Sequence, residues 1–264
     1  MSVAIERAPP DISQTVKTVG ALLLPTLTIL LLLLAWEAAV LWIEIPTYIL
    51  PRPTQIGRQI VSDLATGAIL PHLAATAIEV AAGLLIAAAS GLLLGTLIGS
   101  SALIERTFYP IVLVVQTVPK VAIAPLLVIW FGYGISSKVA TAALLGFFPV
   151  MVNVIAGIRA VDPRRIDLMR MMCARQWQIY VKVRLPNMLN YLFAGLEVAV
   201  VFCVIGAIVG EFVGSSVGLG SLIIQRQSQV DIAGVFSVLT YLSLTALALT
   251  VAVKAARTKI VFWV

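Results

Sequence analysis

The sequence predicts an all-α integral membrane protein with six transmembrane helices, from its composition, its long apolar runs and the placement of its charges. Of 264 residues, 61% are hydrophobic and only 11% are charged, and the mean hydropathy is +1.06. A water-soluble domain carries about 25% charged residues because its surface faces water. A soluble globular fold is therefore excluded.

The spans follow from run length, since a membrane-spanning helix needs about 20 mostly apolar residues. Four uncharged runs cover residues 18–36, 80–104, 139–158 and 232–253. Two further apolar runs are interrupted, one by Lys120 and three prolines, the other by Glu197 and Glu211. The predicted spans lie near residues 20–44, 73–99, 107–132, 138–159, 190–213 and 232–253.

The basic residues predict the orientation, because Lys and Arg accumulate in cytoplasmic loops. Seven of the 18 lie between Arg159 and Arg184. Placing that segment inside predicts a multi-pass protein of the bacterial inner membrane with both termini cytoplasmic. The predicted division is a cytoplasmic N-terminal segment (1–19), a transmembrane domain (20–254) and a cytoplasmic tail (255–264).

A short helix is expected in the outside segment between the first two spans. Ile56, Ile60 and Leu64 recur every four residues and end before Gly67, a spacing typical of one helix face. Two interpretations are open: the helix lies on the membrane surface, or it forms a lid packed on neighbouring helices.

Residues for metal or catalytic chemistry are scarce. One histidine and two cysteines leave too few ligands for a metal cluster. The sequence has no phosphate-binding loop of the form G-x-x-x-x-G-K-[ST]. We therefore expect no metal site, no catalytic residues and no cofactor bound by this chain.

The loop at 160–189 is the most informative segment. Asp162-Pro163 is a favourable helix start, with a helix expected through Met172, a break at Cys173-Ala174, and a second helix from Arg175 to Arg184 that ends at Leu185-Pro186. Methionine packs adaptably against partners and arginine pairs with carboxylates. The pattern favours a docking surface over a loop that only enforces orientation.

Within this loop, the run DLMRMMCARQWQIYVKVRLP (167–186) resembles the cytoplasmic EAA loop of permease subunits in ABC importers. The family pattern is E-A-A, three residues, Gly, then a hydrophobic-Pro pair. Its spacing places Asp167-Leu168-Met169 at E-A-A and Cys173 at the glycine. Leu and Met enlarge the alanine positions, and Cys replaces the turn glycine.

Other family motifs follow in order over residues 45 to 255. They are LPRPTQIG (50–57), VPKVAIAPLLVIWFGYGISSK (118–138), FFPVMVNVIAGIRAVDP (147–163) and GEFVGSSVGLGSLI (210–223). They resemble the branch with permeases for nitrate, taurine, alkanesulfonates and vitamin precursors. Many members carry a basic residue and a proline where Gln116 and Thr117 stand here.

The resemblance implies a type I ABC importer permease that works as a homodimer. Two ATPase subunits, which bind ATP and Mg²⁺, would hold the coupling loops, and an extracytoplasmic solute-binding protein would deliver a small anionic or polar organic solute. The coupling residues carried over are Asp167, Leu168, Met169, Arg170, Met171, Met172, Cys173, Ala174, Leu185 and Pro186.

Polar groups inside the spans are the candidates for the translocation pathway, because a charge in the bilayer is costly unless it is paired or hydrated. Lys120, beside a helix-breaking proline, either contacts an anionic solute or pairs with Glu79, Glu197 or Glu211. Glu211 is expected at an interface or in an outer gate. The predicted pathway residues are Gln116, Pro119, Lys120, Asn153 and Glu211.

Two glycine stripes, at residues 91, 95, 99 and at residues 206, 210, 214, predict close helix packing. The second stripe could alternatively line a subunit interface.

Two other functional classes remain as alternatives to the importer: a secondary transporter, which usually shows internal repeats with broken helices, and a polytopic membrane enzyme without an ATPase partner.

Overall fold

The computed structural model describes residues 12–263, with side chains described for 24–101 and 103–263. The first eleven residues of the predicted N-terminal segment (1–19) lie outside the described residues. A helix has already begun at Ile12, so the predicted boundary at residue 20 falls inside it.

The described residues form helices joined by short connections, α1 to α11 in chain order. Five of these helices are long and apolar enough to cross a membrane, or six if the bent pair α4–α5 is one span. The bounds are α1 Ile12–Trp42, α2 Pro53–Thr66, α3 Leu70–Ser100, α4 Ala102–Thr117, α5 Ala124–Phe131, α6 Ile135–Arg159, α7 Pro163–Met171, α8 Gln176–Ile179, α9 Leu185–Gly214, α10 Leu219–Ser228 and α11 Ile232–Ile260.

The centre of the bundle is the packing of α3 and α9 against α6, and glycines allow it. A Cβ added at Gly91 would lie 2.8 Å from Val150, and one at Gly206 would lie 2.7 Å from the backbone of Ala142. The predicted close packing is thus confirmed. Gly206 faces α6 of its own chain, so the alternative that its stripe lines a subunit interface is wrong there.

Helix α1 is attached to the bundle near its C-terminal end. The Glu37 carboxylate accepts hydrogen bonds from the backbone N–H and the hydroxyl of Thr54, and the Trp36 ring lies 5.8 Å from that of Phe236. Its leucines from Leu30 to Leu34 are exposed. This face is therefore free for lipid or another subunit.

The third predicted span (107–132) is a broken span. Helix α4 ends at Thr117, and the following segment Lys120–Phe131, a 3₁₀ turn continued by α5, is bent by 79° from it. Val118, the residue before Pro119, has extended backbone at the bend, because proline disfavours helical conformation in the residue before it. The predicted interruption and kink of this span are thus confirmed, and α4 and α5 together make the sixth apolar segment.

The fifth span begins earlier than predicted. Helix α8 continues through a π-helical turn, Tyr180–Arg184, directly into α9. The prediction that a second loop helix ends at Leu185-Pro186 is therefore wrong. The Leu185 N–H bonds the Tyr180 carbonyl, and this wider turn accommodates a proline that cannot donate the next helical bond.

At the end of the bundle that carries α2, a buried ion pair joins three helices. Both Asp63 oxygens accept hydrogen bonds from the Arg226 guanidinium, at 2.6 and 2.9 Å, and the Ser237 hydroxyl donates at 2.7 Å. We call Asp63, Arg226 and Ser237 the α2 clamp. It fixes α2 to α10 and α11, and the buried Ile56 supports the interpretation of α2 as a packed lid.

The clamp changes the acidity of its carboxylate. Burial alone would raise the pKa of Asp63, but hydrogen bonds from Arg226, Ser237 and Gln59, with the positive charge of Arg226, outweigh burial and hold the pKa below its ordinary value. The carboxylate is therefore stabilised in its charged form.

Candidate functional site

The connection after α6 forms a short capped helix, as predicted. The Asp162 carboxylate accepts from the Arg164 N–H at 2.9 Å, and Pro163 occupies the first helical position. Both features stabilise a helix N-terminus. Helix α7 therefore begins where the sequence predicts.

Helix α7 ends in a Schellman motif, a C-terminal turn closed by two backbone hydrogen bonds. The Ala174 N–H bonds the Met169 carbonyl at 3.0 Å, and the Cys173 N–H bonds the Arg170 carbonyl at 2.9 Å. Cys173 has a φ of 57°, in the left-handed region that favours glycine. The structure thus supports the placement of Cys173 at the glycine of the family pattern.

The tip of this loop presents apolar side chains to the outside. Leu168, Met171 and Met172 are 54%, 76% and 71% exposed, whereas Met169 and Ala174 are half-buried. Trp177, 61% exposed, was missed by the sequence analysis, although a tryptophan in a charged loop was a usable signal. We call Leu168, Met171, Met172 and Trp177 the apolar tip.

Two charged residues of the predicted coupling set lie on α7, which also carries part of this tip. Asp167 and Arg170 form an exposed ion pair at 3.3 Å, which is worth little on a surface. Leu185 and Pro186 lie away from the tip, half-buried within the continuous helix α8–α9. The predicted coupling set therefore divides into an exposed group on α7 and a group at the base of α9.

The base of the loop is fixed to the bundle. The Asn187 amide donates to the Gly157 carbonyl at 2.8 Å, the Arg184 guanidinium donates to the Ser100 carbonyl at 3.3 Å, and Ile179 is 1% exposed. The loop is thus joined to α3, α6 and α9.

A second candidate site is a cavity of about 310 Å³, here called the solute cavity. It holds three of the predicted pathway residues, Gln116, Lys120 and Asn153, beside the aromatic rings of Phe148 and Phe202. Pro119 is at the adjacent bend but does not line the cavity. The side chains come from α4, the 3₁₀ turn, α6 and α9.

The contacts of Lys120 differ from the predicted ion pair. Its ammonium donates to the Gln116 carbonyl at 3.0 Å and lies 4.5 Å from the centre of the Phe148 ring. The ion pairs of the described side chains do not include it, so the predicted pairing is wrong. The bend at Pro119 directs this residue to α6, and Glu197 and Glu211 have other partners.

Two of those acids have clear partners. Glu211 is 1% exposed and accepts from the Thr76 hydroxyl at 2.6 Å and from the Gly220 N–H, so it fixes the start of α10 and does not line the solute cavity. The Glu197 carboxylate lies 3.8 Å from both Lys254 and Arg257. The assignment of Glu211 to an interface or an outer gate stays a prediction.

A third, larger cavity of about 600 Å³ lies at the α2 end. Its lining includes Glu79, Tyr133 and Lys138, and the Lys138 ammonium donates to the carbonyls of Tyr133 and Gly134. Lys138 is only 3% exposed. Among the described residues, no group of His, Cys, Asp and Glu is arranged to hold a metal ion.

Comparisons with known proteins agree with this architecture. Residues 91–260 match the family model described as the binding-protein-dependent transport system inner membrane component. The formylaminopyrimidine transport permease protein ThiX of Halalkalibacterium halodurans is 36% identical over 90% of this chain and 95% of its own.

Two further relatives extend the comparison. The riboflavin transport system permease protein RibX of Chloroflexus aurantiacus is 34% identical over 89% of this chain and 88% of its own. The taurine transport system permease protein TauC of Escherichia coli is 26% identical over 88% and 86%. The all-helical fold, its apolar spans and these matches show that the chain belongs to the permease family of binding-protein-dependent ABC importers, in the branch that includes nitrate, sulfonate and taurine permeases.

Proposed function

We propose that this chain forms the translocation pathway of an ATP-driven importer, as a homodimer coupled to two ATPase subunits through residues 160–189. An extracytoplasmic binding protein delivers a small anionic or polar organic solute. The observation that carries the proposal is the apolar tip, an exposed surface on a loop fixed to α3, α6 and α9.

Coupling follows from this attachment. The ATPase holds the apolar tip and the charged groups Asp167 and Arg170 around it, and it binds the ATP and Mg²⁺, while this chain binds no cofactor. Closure of the ATPase dimer moves the tip. Because the loop base bonds Ser100 and Gly157, that movement shifts the central helices and changes which side of the membrane the pathway faces.

The solute cavity provides the contacts for a polar solute. An ammonium has three N–H donors, and the Gln116 carbonyl takes one from Lys120, so donors remain for an anion or a carbonyl oxygen. The Asn153 side-chain amide donates a hydrogen bond to the Pro149 carbonyl at 2.8 Å, and its side-chain oxygen remains available as an acceptor. Phe148 and Phe202 offer ring faces to a flat solute, in keeping with relatives named for formylaminopyrimidine and riboflavin transport.

Orientation follows from the basic residues. The segment 159–184 carries seven Lys and Arg, which favours the cytoplasmic side. Both termini then lie in the cytoplasm of the bacterial cell, and the α2 clamp faces outward.

The coupling role is tested by purifying the tagged chain in mild detergent and identifying the proteins recovered with it. The variant Met171→Gln/Met172→Gln should lose the ATPase while remaining in the membrane, because polar groups weaken apolar docking. Leu103→Gln, another exposed apolar residue at the same end, is the matched control and should retain it. Recovery of the chain without any ATPase would favour a secondary transporter instead.

The solute cavity is tested by uptake in membrane vesicles that contain the whole importer. Lys120→Met should reduce uptake about 10-fold or more, and Lys120→Arg should keep part of it. Arg58→Gln, an exposed cation outside the cavity, is the control. Full uptake by Lys120→Met, with normal ATPase recovery, would exclude a solute contact without affecting the coupling assignment.

A further inference from the structure

A basic groove lies at the α7 end of the bundle, where α9 meets the C-terminal end of α11. It consists of two cavities, of about 480 and 290 Å³, that share Asn190 as a lining residue. Their charged lining side chains are Arg165, Lys182, Lys254, Arg257 and Glu197. Four cations therefore face a single carboxylate.

The single carboxylate leaves much of this charge uncompensated. Its oxygens lie 3.8 Å from the Lys254 ammonium and 3.8 Å from the Arg257 guanidinium, beyond the 2.7–3.2 Å of a hydrogen bond. Lys254 and Arg257 thus keep N–H donors open toward the cavity. An arginine fork and an ammonium are the groups that proteins use for phosphate.

A neutral acceptor lies between the two cavities. The Asn190 side-chain oxygen is buried without a hydrogen-bond partner in the described residues. A buried amide oxygen without a donor is costly. Asn190 therefore suits a ligand that carries a hydroxyl group close to its negative charge.

The surroundings of the groove favour an amphipathic ligand. Phe262 is 81% exposed just beyond the end of α11, and Trp263, whose ring packs edge-to-face on that of Phe262, lines the smaller cavity. Tryptophan is enriched at the membrane–water boundary. Exposed aromatic rings beside a cationic groove match acyl chains beside a headgroup, whereas a free phosphate would leave these rings unused.

We propose that the basic groove binds the phosphate headgroup of an anionic phospholipid, in the leaflet that is cytoplasmic in the proposed orientation. Lys254 and Arg257 hold the phosphate, and the Asn190 oxygen accepts from a headgroup hydroxyl. The lipid would fix the end of α11 against α9 close to the coupling loop. Basic pockets between membrane helices on the cytoplasmic side are suited to such headgroups.

Native mass spectrometry of the complete purified complex provides the test, with phosphatidylglycerol and phosphatidylcholine added separately in mild detergent. We expect phosphatidylglycerol to be retained in preference to phosphatidylcholine. Lys254→Gln/Arg257→Gln should weaken retention roughly 5-fold for each cation removed. The matched control Lys259→Gln/Arg106→Gln removes two exposed cations at the same end that do not line the groove and should leave it unchanged.

A second variant should change phosphatidylglycerol retention in the opposite direction. Glu197→Gln removes the competing carboxylate and should strengthen phosphatidylglycerol retention, so the proposal stays testable if the double variant does not fold. Equal retention by Lys254→Gln/Arg257→Gln and its control would overturn the proposal. Two other results would also overturn it: inorganic phosphate that displaces phosphatidylglycerol at equal concentration, or loss of the ATPase from the double variant with lipid retention unchanged.

Discussion

The two ends of this bundle use their polar and apolar groups in opposite ways. In the α2 clamp, the Asp63 carboxylate is 3% exposed and its oxygens are bonded to Arg226, Ser237 and Gln59. At the α7 end, Met171 is 76% exposed. The α2 clamp is internally satisfied, whereas the apolar tip leaves its side chains open, as the proposed partner surface requires.

The largest loss of stability is expected when the α2 clamp is broken. Asp63→Asn should destabilise the protein by about 3–5 kcal/mol, because it leaves a buried guanidinium without its counter-charge. Asp167→Asn, in the exposed pair at the other end, should cost less than about 1 kcal/mol. Thermal unfolding of both variants in the same detergent measures the contrast, and equal losses would show that the ends do not differ.

The clamp should also make the protein sensitive to acid. Because the pKa of Asp63 is lowered by folding, its stabilising contribution is fully present above the ordinary carboxyl value of about 3.9 and is lost as pH falls through the lower native pKa. The free energy of unfolding, measured between pH 7 and pH 3, should show the loss of this Asp63 contribution at the acid end. Asp63→Asn should remove it, and an unchanged acid profile in that variant would contradict the assignment.

An intermediate effect is expected at the glycines. Gly206→Ala should cost about 1–3 kcal/mol because its methyl group would overlap the α6 backbone. Gly57→Ala, where a Cβ meets nothing within 4 Å, should stabilise helix α2 by roughly 0.5–1 kcal/mol. Unfolding temperatures of the two variants should therefore shift in opposite directions. A stable Gly206→Ala variant would mean that α6 and α9 are less closely packed.

The smallest change in stability is expected from substitutions at the C-terminal end of α7. Cys173→Gly should stabilise the loop by up to about 1 kcal/mol, since a non-glycine residue at positive φ is strained, offset by the greater freedom of glycine in the unfolded chain. Cys173→Val should weaken it, because a β-branched residue is disfavoured there. The rates of amide hydrogen exchange in residues 163–174 should be measured in both variants and compared. Faster exchange in the glycine variant than in the valine variant would contradict the Schellman geometry.

Local features of the coupling loop were predictable from sequence. Asp162 and Pro163 act on backbone groups within three residues, so their capping role requires no tertiary information. The same is true of the break at Cys173, which the spacing of the family motif located. The error at Pro186 arose because a π-helical turn, unlike an α-helical one, carries the helix through the proline.

Charge partners were not predictable in the same way. The pattern placed Lys120 in an interrupted span and offered three acids, but the 79° bend sets it on Phe148 instead. Arg226 is buried against Asp63, 163 positions away. Nothing in either local sequence indicates that pairing.

The sequence by itself determined the membrane class, the approximate spans, the start of α7 and the family, because composition, run length and capping act over short stretches of chain. Only the tertiary structure decided which charges meet, how sharply α4 and α5 are bent, and which apolar residues remain exposed on the loop. Those outcomes depend on the packing of α3 and α9 against α6, where glycines such as Gly91 and Gly206 allow the backbones to approach. Helix packing therefore places the side chains of the solute cavity and of the basic groove.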